Sequence, residues 1–286
     1  MKPAQKLRAL LDRRGIAVMP SSFDALSAKL IAAAGFEVQF MSGFAVSGAR
    51  LAQPDTGLIT LPEMVDTLRN ICAASPIPVV GDGDTGFGNA INVQRTVFEY
   101  ARAGAACVMI EDQVSPKKCG HTPGKQVIGR EDARMKMRAA VEAARANDIL
   151  VLARTDARAV VNFEEALTRC AMFVEEGADI IFLEAPESAD EMRAFCAAIP
   201  KPCMANMVIG GKTPVLSPRE LEAIGYKIAL YPLVLLSAAI KAMEQALIAL
   251  KPAAPGPMPP TASFEEIKAV VGFPDYWAQE RRFTAE

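Results

Sequence analysis

Along the chain, short runs of nearly continuous apolar residues alternate with longer stretches in which apolar positions recur every three or four residues. The short runs lie at 16–20, 38–42, 78–81, 107–110, 149–153, 179–183, 202–205 and 227–230. They have the length and continuity expected of parallel strands covered on both faces. The periodic stretches at 24–34, 61–74, 90–103, 130–146, 163–176, 189–198 and 217–224 predict amphipathic helices between them. Ser217, Pro218 and Glu220 form a capping-box start, and Gly35, Gly104, Gly177 and Gly225 stand just past helix ends, where a left-handed residue is wanted. A further helix, striped by Leu7, Leu10 and Leu11, precedes the first strand and stops at Arg13-Arg14-Gly15. Eight successive strand-then-helix units predict an α/β fold of the (β/α)8 TIM-barrel type. A doubly wound open sheet is the alternative, but its dinucleotide-binding version needs a Gly-x-Gly-x-x-Gly after the first strand, which is missing.

Beyond the eighth strand the pattern changes. A helix over 234–250 leads into a proline-rich piece, 251–260, that reads as a stiff spacer. A helical arm follows, broken at Gly272-Phe273-Pro274 and carrying the single tryptophan, Trp277. The expected organisation is a barrel domain at 1–250, a linker at 251–260 and an arm at 261–286. Such an arm docks either on another subunit or on its own barrel, and the sequence leaves both open.

Composition narrows the function classes. A formal net charge of −2 gives no basis for a nucleic-acid or anionic-membrane partner. The N-terminus leads into an amphipathic helix, not a signal-peptide core, and no apolar run reaches the ~18 residues that a membrane span requires. Six scattered cysteines without a Cys-x-x-Cys pair read as reduced thiols in a cytoplasmic protein, and one histidine cannot build a His-rich zinc site.

The chemistry-bearing residues fall at the carboxyl ends of the predicted strands, where barrels of this kind gather their sites. The fourth strand ends in Glu111 and Asp112 and opens into a loop punctuated by Ser115, Pro116, Gly120, Pro123 and Gly124. Within it Cys119 is flanked by Lys117, Lys118 and His121, an electropositive setting that favours a reactive thiol. The loop is either an ordinary solvated one or a gating element that carries a proton-transfer group. The third strand ends in Asp82-Gly83-Asp84, which is a plain turn or a pair of hard carboxylates for Mg²⁺ or Mn²⁺. Ser42, Gly43 and Phe44 end the second strand, Arg154 the fifth, Glu184 the sixth and Asn206 the seventh. Arg154 is an ion-pair partner for these acids or a clamp for a substrate carboxylate.

Lys117-Lys118-Cys119-Gly120-His121, with Asp82-Gly83-Asp84-Thr85-Gly86-Phe87-Gly88 and Ile110-Glu111-Asp112-Gln113, resembles the isocitrate lyase/phosphoenolpyruvate mutase superfamily. The Cys-containing loop resembles its lyase branch, which includes 2-methylisocitrate and 2,3-dimethylmalate lyases and oxaloacetate hydrolases. The resemblance implies a homotetramer of barrels that exchange C-terminal helices. It implies Mg²⁺ (or Mn²⁺) held by Asp55, Asp82, Asp84 and Glu111, partly through waters. Ser42, Gly43, Phe44, Arg154, Glu184 and Asn206 would bind substrate. Cys119 would be the acid–base thiol, oriented and tuned by Lys117, Lys118 and His121. The implied reaction is retro-Claisen cleavage of a 2-hydroxydicarboxylate or tricarboxylate, a substituted malate or a 2-methylisocitrate, into a 2-oxo acid and a carboxylate. Oxaloacetate hydrolysis and phosphonomutase chemistry are the alternatives. Phe40 and Phe44 stand where 2-methylisocitrate lyases carry smaller or more polar groups, and this favours a small substrate.

Overall fold

The computed structural model describes residues 1–120, 124–251 and 256–284, so that His121 and part of the proline-rich spacer fall outside them. The chain opens with α1 (Pro3–Asp12), β1 (Ala17–Ser22), α2 (Ala25–Ala33) and β2 (Gln39–Met41). Two helices, α3 (Gly43–Leu51) and α4 (Leu61–Ala74), precede β3 (Val79–Asp82), α5 (Ala90–Ala103), β4 (Cys107–Glu111) and α6 (Arg130–Asn147). Then come β5 (Leu150–Thr155), α7 (Ala157–Val160), α8 (Phe163–Glu176), β6 (Ile180–Leu183) and α9 (Ala189–Ala198). The series continues with β7 (Cys203–Asn206), α10 (Pro218–Ile224), β8 (Ile228–Tyr231) and α11 (Val234–Ala249). Last are α12 (Phe264–Val271) and α13 (Phe273–Phe283).

The eight strands are all parallel and close on themselves, with β1 paired to β8 from Ala17↔Ile228 to Pro20↔Tyr231. Closure excludes the open doubly wound sheet and makes the fold a (β/α)8 barrel. The capping box of α10 forms as its sequence implies, with Ser217 Oγ accepting from Glu220 N at 3.3 Å. Gly104, Gly177 and Gly225 adopt left-handed C-caps. Two helices depart from the hydrophobic pattern: α3, which follows β2 directly, and the short α7 after β5.

Because successive strand residues face opposite sides, each strand sorts its side chains between two cores. Met19, Phe40, Val80, Met109, Leu152, Phe182, Met204 and Leu230 belong to the barrel interior, whose lower end also takes Ala4, Leu7 and Leu10 of α1. Their neighbours, among them Met41, Val79, Val108, Val151, Ile181 and Ala205, pack outward against the helical ring. The compact unit containing the barrel runs from Met1 to Val234. A second unit, Leu235–Glu286, holds the rest of α11 with α12 and α13. Within it Phe273 and Trp277 meet at a tilt of 56° with 5.3 Å between centroids, and Lys268 lies over both Phe264 and Trp277.

Candidate active site

One step of two residues beyond the inward apolar layer, each strand presents its next inward residue at the carboxyl end. In chain order these are Ser21, Ser42, Asp82, Glu111, Arg154, Glu184, Asn206 and Pro232. Phe40, Met109, Phe182 and Leu230 form an apolar floor, and six of these upper residues rise from it around a cavity of about 260 Å³. Cys119 and Gly120 reach the same cavity, as do Phe44, Asp55, Val208 and Leu233.

The acid side is built by close backbone approach. Gly43 N donates to Asp82 Oδ2 at 3.0 Å, and a Cβ at Gly43 would stand 2.7 Å from that oxygen. Asp82 Oδ1 accepts from Asp84 N at 3.1 Å, while the Tyr100 hydroxyl donates to the Asp82 carbonyl at 2.5 Å. Asp84 itself has a φ of +47°, a left-handed conformation rare for a residue with a Cβ. Lys117 is buried, its Nζ 2.5 Å from Asp55 Oδ1 and 2.9 Å from Asp84 Oδ1.

On the opposite side Arg154 is the hub. Its guanidinium meets Asp156 at 2.8 and 3.1 Å, Glu111 at 3.2 Å and Glu184 at 3.3 Å, and lies over the Phe182 ring. Asn206 Nδ2 faces both Glu184 oxygens at 3.3 and 3.4 Å. Buried Lys125 joins this group, with Nζ 2.7 Å from Asp156 Oδ1 and 2.5 Å from the Gly120 carbonyl. Asp112, the neighbour of Glu111, points away into a structural knot, accepting from Thr155 Oγ1, Asp156 N and Arg169.

These contacts set the electrostatics. Six acids (Asp55, Asp82, Asp84, Glu111, Asp156 and Glu184) are buried with three cations (Lys117, Lys125 and Arg154). Burial pushes Asp84 up to about 7, against the pull of Lys117 and with the push of Asp82 and Asp55. Burial also raises Glu111 well above the usual carboxylate range. Burial would raise Asp156 too, but Arg154 and Lys125 overcome it and hold its carboxyl below the ordinary value. The cluster is thus short of positive charge. Glu111 Oε1 and Asn206 Oδ1 are buried without a hydrogen-bond partner among the described residues. Oxygen-only donors with excess negative charge fit a hard divalent cation. Among the described residues no three His, Cys, Asp or Glu side chains converge as direct ligands.

The residues expected from sequence are thus gathered at one barrel mouth: Ser42, Gly43, Phe44, Asp55, Asp82, Asp84, Glu111, Lys117, Cys119, Arg154, Glu184 and Asn206. Two of them are engaged differently from the expectation. Lys117 pairs with Asp55 and Asp84 instead of flanking the thiol, because two buried carboxylates attract an ammonium strongly. The Gly43 N–H serves Asp82 and is no spare donor, whereas the Ser42 hydroxyl, which N-caps α3 by accepting from Ala45 N, keeps its O–H. Lys118 is exposed, and its backbone is clasped at both ends by the Gln113 amide. His121 lies outside the described residues. Sequence reasoning did not select Lys125 or Tyr100; the alternation that turns Arg154 inward was the signal available for Asp156.

Comparison with known proteins finds relatives along nearly the whole chain. The model of the family described as phosphoenolpyruvate phosphomutase matches residues 7–251. The chain is 44% identical over 274 residues to 2,3-dimethylmalate lyase of Eubacterium barkeri, covering 95% of each. It is 47% identical over 246 residues to 2-methylisocitrate lyase of Aeropyrum pernix, covering 86% of this chain and 79% of that one. The fold is similar to oxaloacetate acetylhydrolase in complex with 3,3-difluorooxalacetate, with a TM-score of 0.94, 33% identity and coverage of 98% and 96%. A phosphonopyruvate hydrolase complexed with oxalate and Mg²⁺ is similar with a TM-score of 0.84, 29% identity and 99% of both chains covered.

Proposed function

Because the chain belongs to the phosphoenolpyruvate mutase/isocitrate lyase superfamily, we propose that it is a carbon–carbon lyase acting on a small 2-hydroxydicarboxylate of the substituted-malate type. The observation that carries this reading is the half-buried Cys119 thiol on the cavity that Asp55, Asp82, Arg154, Glu184 and Asn206 also line. Asp55, Asp82, Asp84 and Glu111 would hold Mg²⁺ or Mn²⁺, partly through waters. When bound, such an ion polarises the 2-oxygen and carboxylate of the substrate and offsets the charge of the enediolate product.

The chain's own residues divide the remaining work. Arg154 and Asn206 bind the 2-oxo-acid half and orient it by charge-assisted and neutral hydrogen bonds. The C2 hydroxyl gives its proton to a carboxylate of the acid cluster. The C2–C3 electron pair then passes to C3 as the 2-oxo acid forms. Cys119 delivers its S–H proton to C3, which leaves a saturated carboxylate and a thiolate to be reprotonated. Lys118 and His121, close to Cys119 in the chain, would favour that charged intermediate state of the sulfur. Phe44, Val208, Pro232 and Leu233 offer no charged partner for a third carboxylate, which supports an alkyl-substituted dicarboxylate over a tricarboxylate.

The test is release of a 2-oxo acid from a panel of substituted malates, 2-methylisocitrate and oxaloacetate. The expected result is turnover of a substituted malate that stops when a chelator removes divalent ions. Cys119→Ser should leave the fold intact and cut turnover by about 10²–10⁴-fold; full activity in that variant would end the reading. Similarity to oxaloacetate acetylhydrolase favours a second reading, hydrolysis of oxaloacetate to oxalate and acetate, which the same panel separates. The enzyme would work in the cytoplasm as a homotetramer, with residues 1–250 as catalytic domain, 251–260 as linker and 261–286 as an arm exchanged between subunits together with α11. The absence of any buried residue in α11, α12 and α13 supports that exchange.

A further inference from the structure

Lys125 is a buried ammonium that the reaction above does not use. Its side chain is only 2% exposed, and its Nζ makes two bonds: 2.5 Å to the Gly120 carbonyl and 2.7 Å to Asp156 Oδ1. Gly120 directly follows Cys119 and packs so closely that a Cβ there would stand 2.6 Å from Arg154 Nη2 and 2.8 Å from Glu184 Cδ. Asp156 in turn holds Arg154 through both nitrogens it contacts. The backbone beside the thiol and the Arg154 guanidinium therefore share one ionic link. A lysine buried this completely would be expelled to solvent unless both its partners were fixed in place.

We propose that Lys125 is a positioning residue: it pins the Gly120 carbonyl to Asp156 and so fixes the backbone from which Cys119 faces the Arg154 side of the cavity. Lys125 is not among the residues that line the cavity; it acts through Gly120 and Asp156. Without it the Gly120 carbonyl has lost its ionic partner, and the backbone that carries Cys119 on the cavity is no longer held in one place. The kinetic part of the inference rests on the lyase reading, whereas the structural part does not.

Two measurements on the full chain test it. In the first, the rate of iodoacetamide alkylation at Cys119 is followed by mass spectrometry of its peptide. Loss of a buried charge-assisted bond should speed alkylation about tenfold in Lys125→Met, with Lys125→Arg restoring most of the slow rate. An unchanged rate in folded Lys125→Met overturns the proposal. Should Lys125→Met fail to fold, Lys125→Gln carries the same test: its amide is shorter and uncharged, so Cys119 should again react faster, and an unchanged rate there is equally fatal. In the second, once a turned-over malate is found, Lys125→Met should lower kcat far more than it raises KM, and a change in KM alone overturns the assignment. If no malate is turned over, the lyase reading fails and the alkylation rates still decide the role of Lys125.

Discussion

At Gly43 a single hydrogen atom stands where any other residue would carry carbon. Its N–H bonds Asp82 Oδ2, and a Cβ would approach that oxygen to 2.7 Å. Gly43→Ala should therefore displace the Asp82 carboxylate by a fraction of an ångström while the barrel still folds. Misplacement on that scale near reacting atoms lowers turnover about 10²-fold, and steady-state kinetics beside a thermal melt would show it. Asp156 answers to a different test. Arg154 and Lys125 keep its carboxyl below the ordinary range, so the folded state binds fewer protons there than the unfolded chain does. The stability this contributes is complete above the ordinary aspartate value of about 4 and disappears as pH falls below it. Asp156→Asn should cost about 3 kcal/mol at neutral pH, since it takes the carboxylate from buried Lys125 and the nearest of three from Arg154. Urea titrations at stepwise lower pH should then find variant and wild type converging; a gap that stays constant with pH would mean Asp156 is not ionised in the fold.

At the scale of elements, the site is a consequence of strand alternation. Once Val80, Met109, Leu152, Phe182 and Met204 face the barrel interior, Asp82, Glu111, Arg154, Glu184 and Asn206 must face the mouth. That is why these residues were legible from apolar runs and their ends. What alternation does not carry is partnership between residues distant in the chain. A lysine in a Pro- and Gly-rich loop reads as solvated, yet Lys117 is buried against Asp55 and Asp84, and Lys125 against Asp156. Two elements escaped for local reasons: α3 contains Gly43 and Gly48, poor helix formers, and relies on the Ser42 cap and buried Val46; α7 is too short to show a period. Helix α5 shows how an outer element tunes the site. Tyr100 fills the space left by Gly81, whose Cβ would lie 2.8 Å from its ring, and its hydroxyl holds the Asp82 carbonyl. Tyr100→Phe keeps the packing and removes that bond. Denaturant unfolding should show a loss of about 1 kcal/mol, and a loss several times larger would mean the ring had also moved.

The whole molecule carries apolar surface that one chain does not cover. In α11, Met243, Leu247 and Ile248 are exposed, as are Phe264, Ile267 and Val271 in α12 and Tyr276 and Phe283 in α13. Single exposed apolar residues are ordinary, but three successive helices without one buried side chain are not, because such helices are stable only when an apolar face is packed. Exchange of this segment between copies would supply the missing cover and would link folding to assembly. If so, light scattering at micromolar concentration should give the mass of four chains, and the melting temperature should rise with protein concentration, as mass action requires. Leu247→Asp places a charge on the exposed apolar surface of α11. It should lower the assembled mass and the melting temperature together while the barrel keeps its helical circular dichroism. A wild-type chain that sediments as a monomer, with a melting temperature indifferent to dilution, would instead require these helices to be stable uncovered, and the exchange would then have no physical reason to occur.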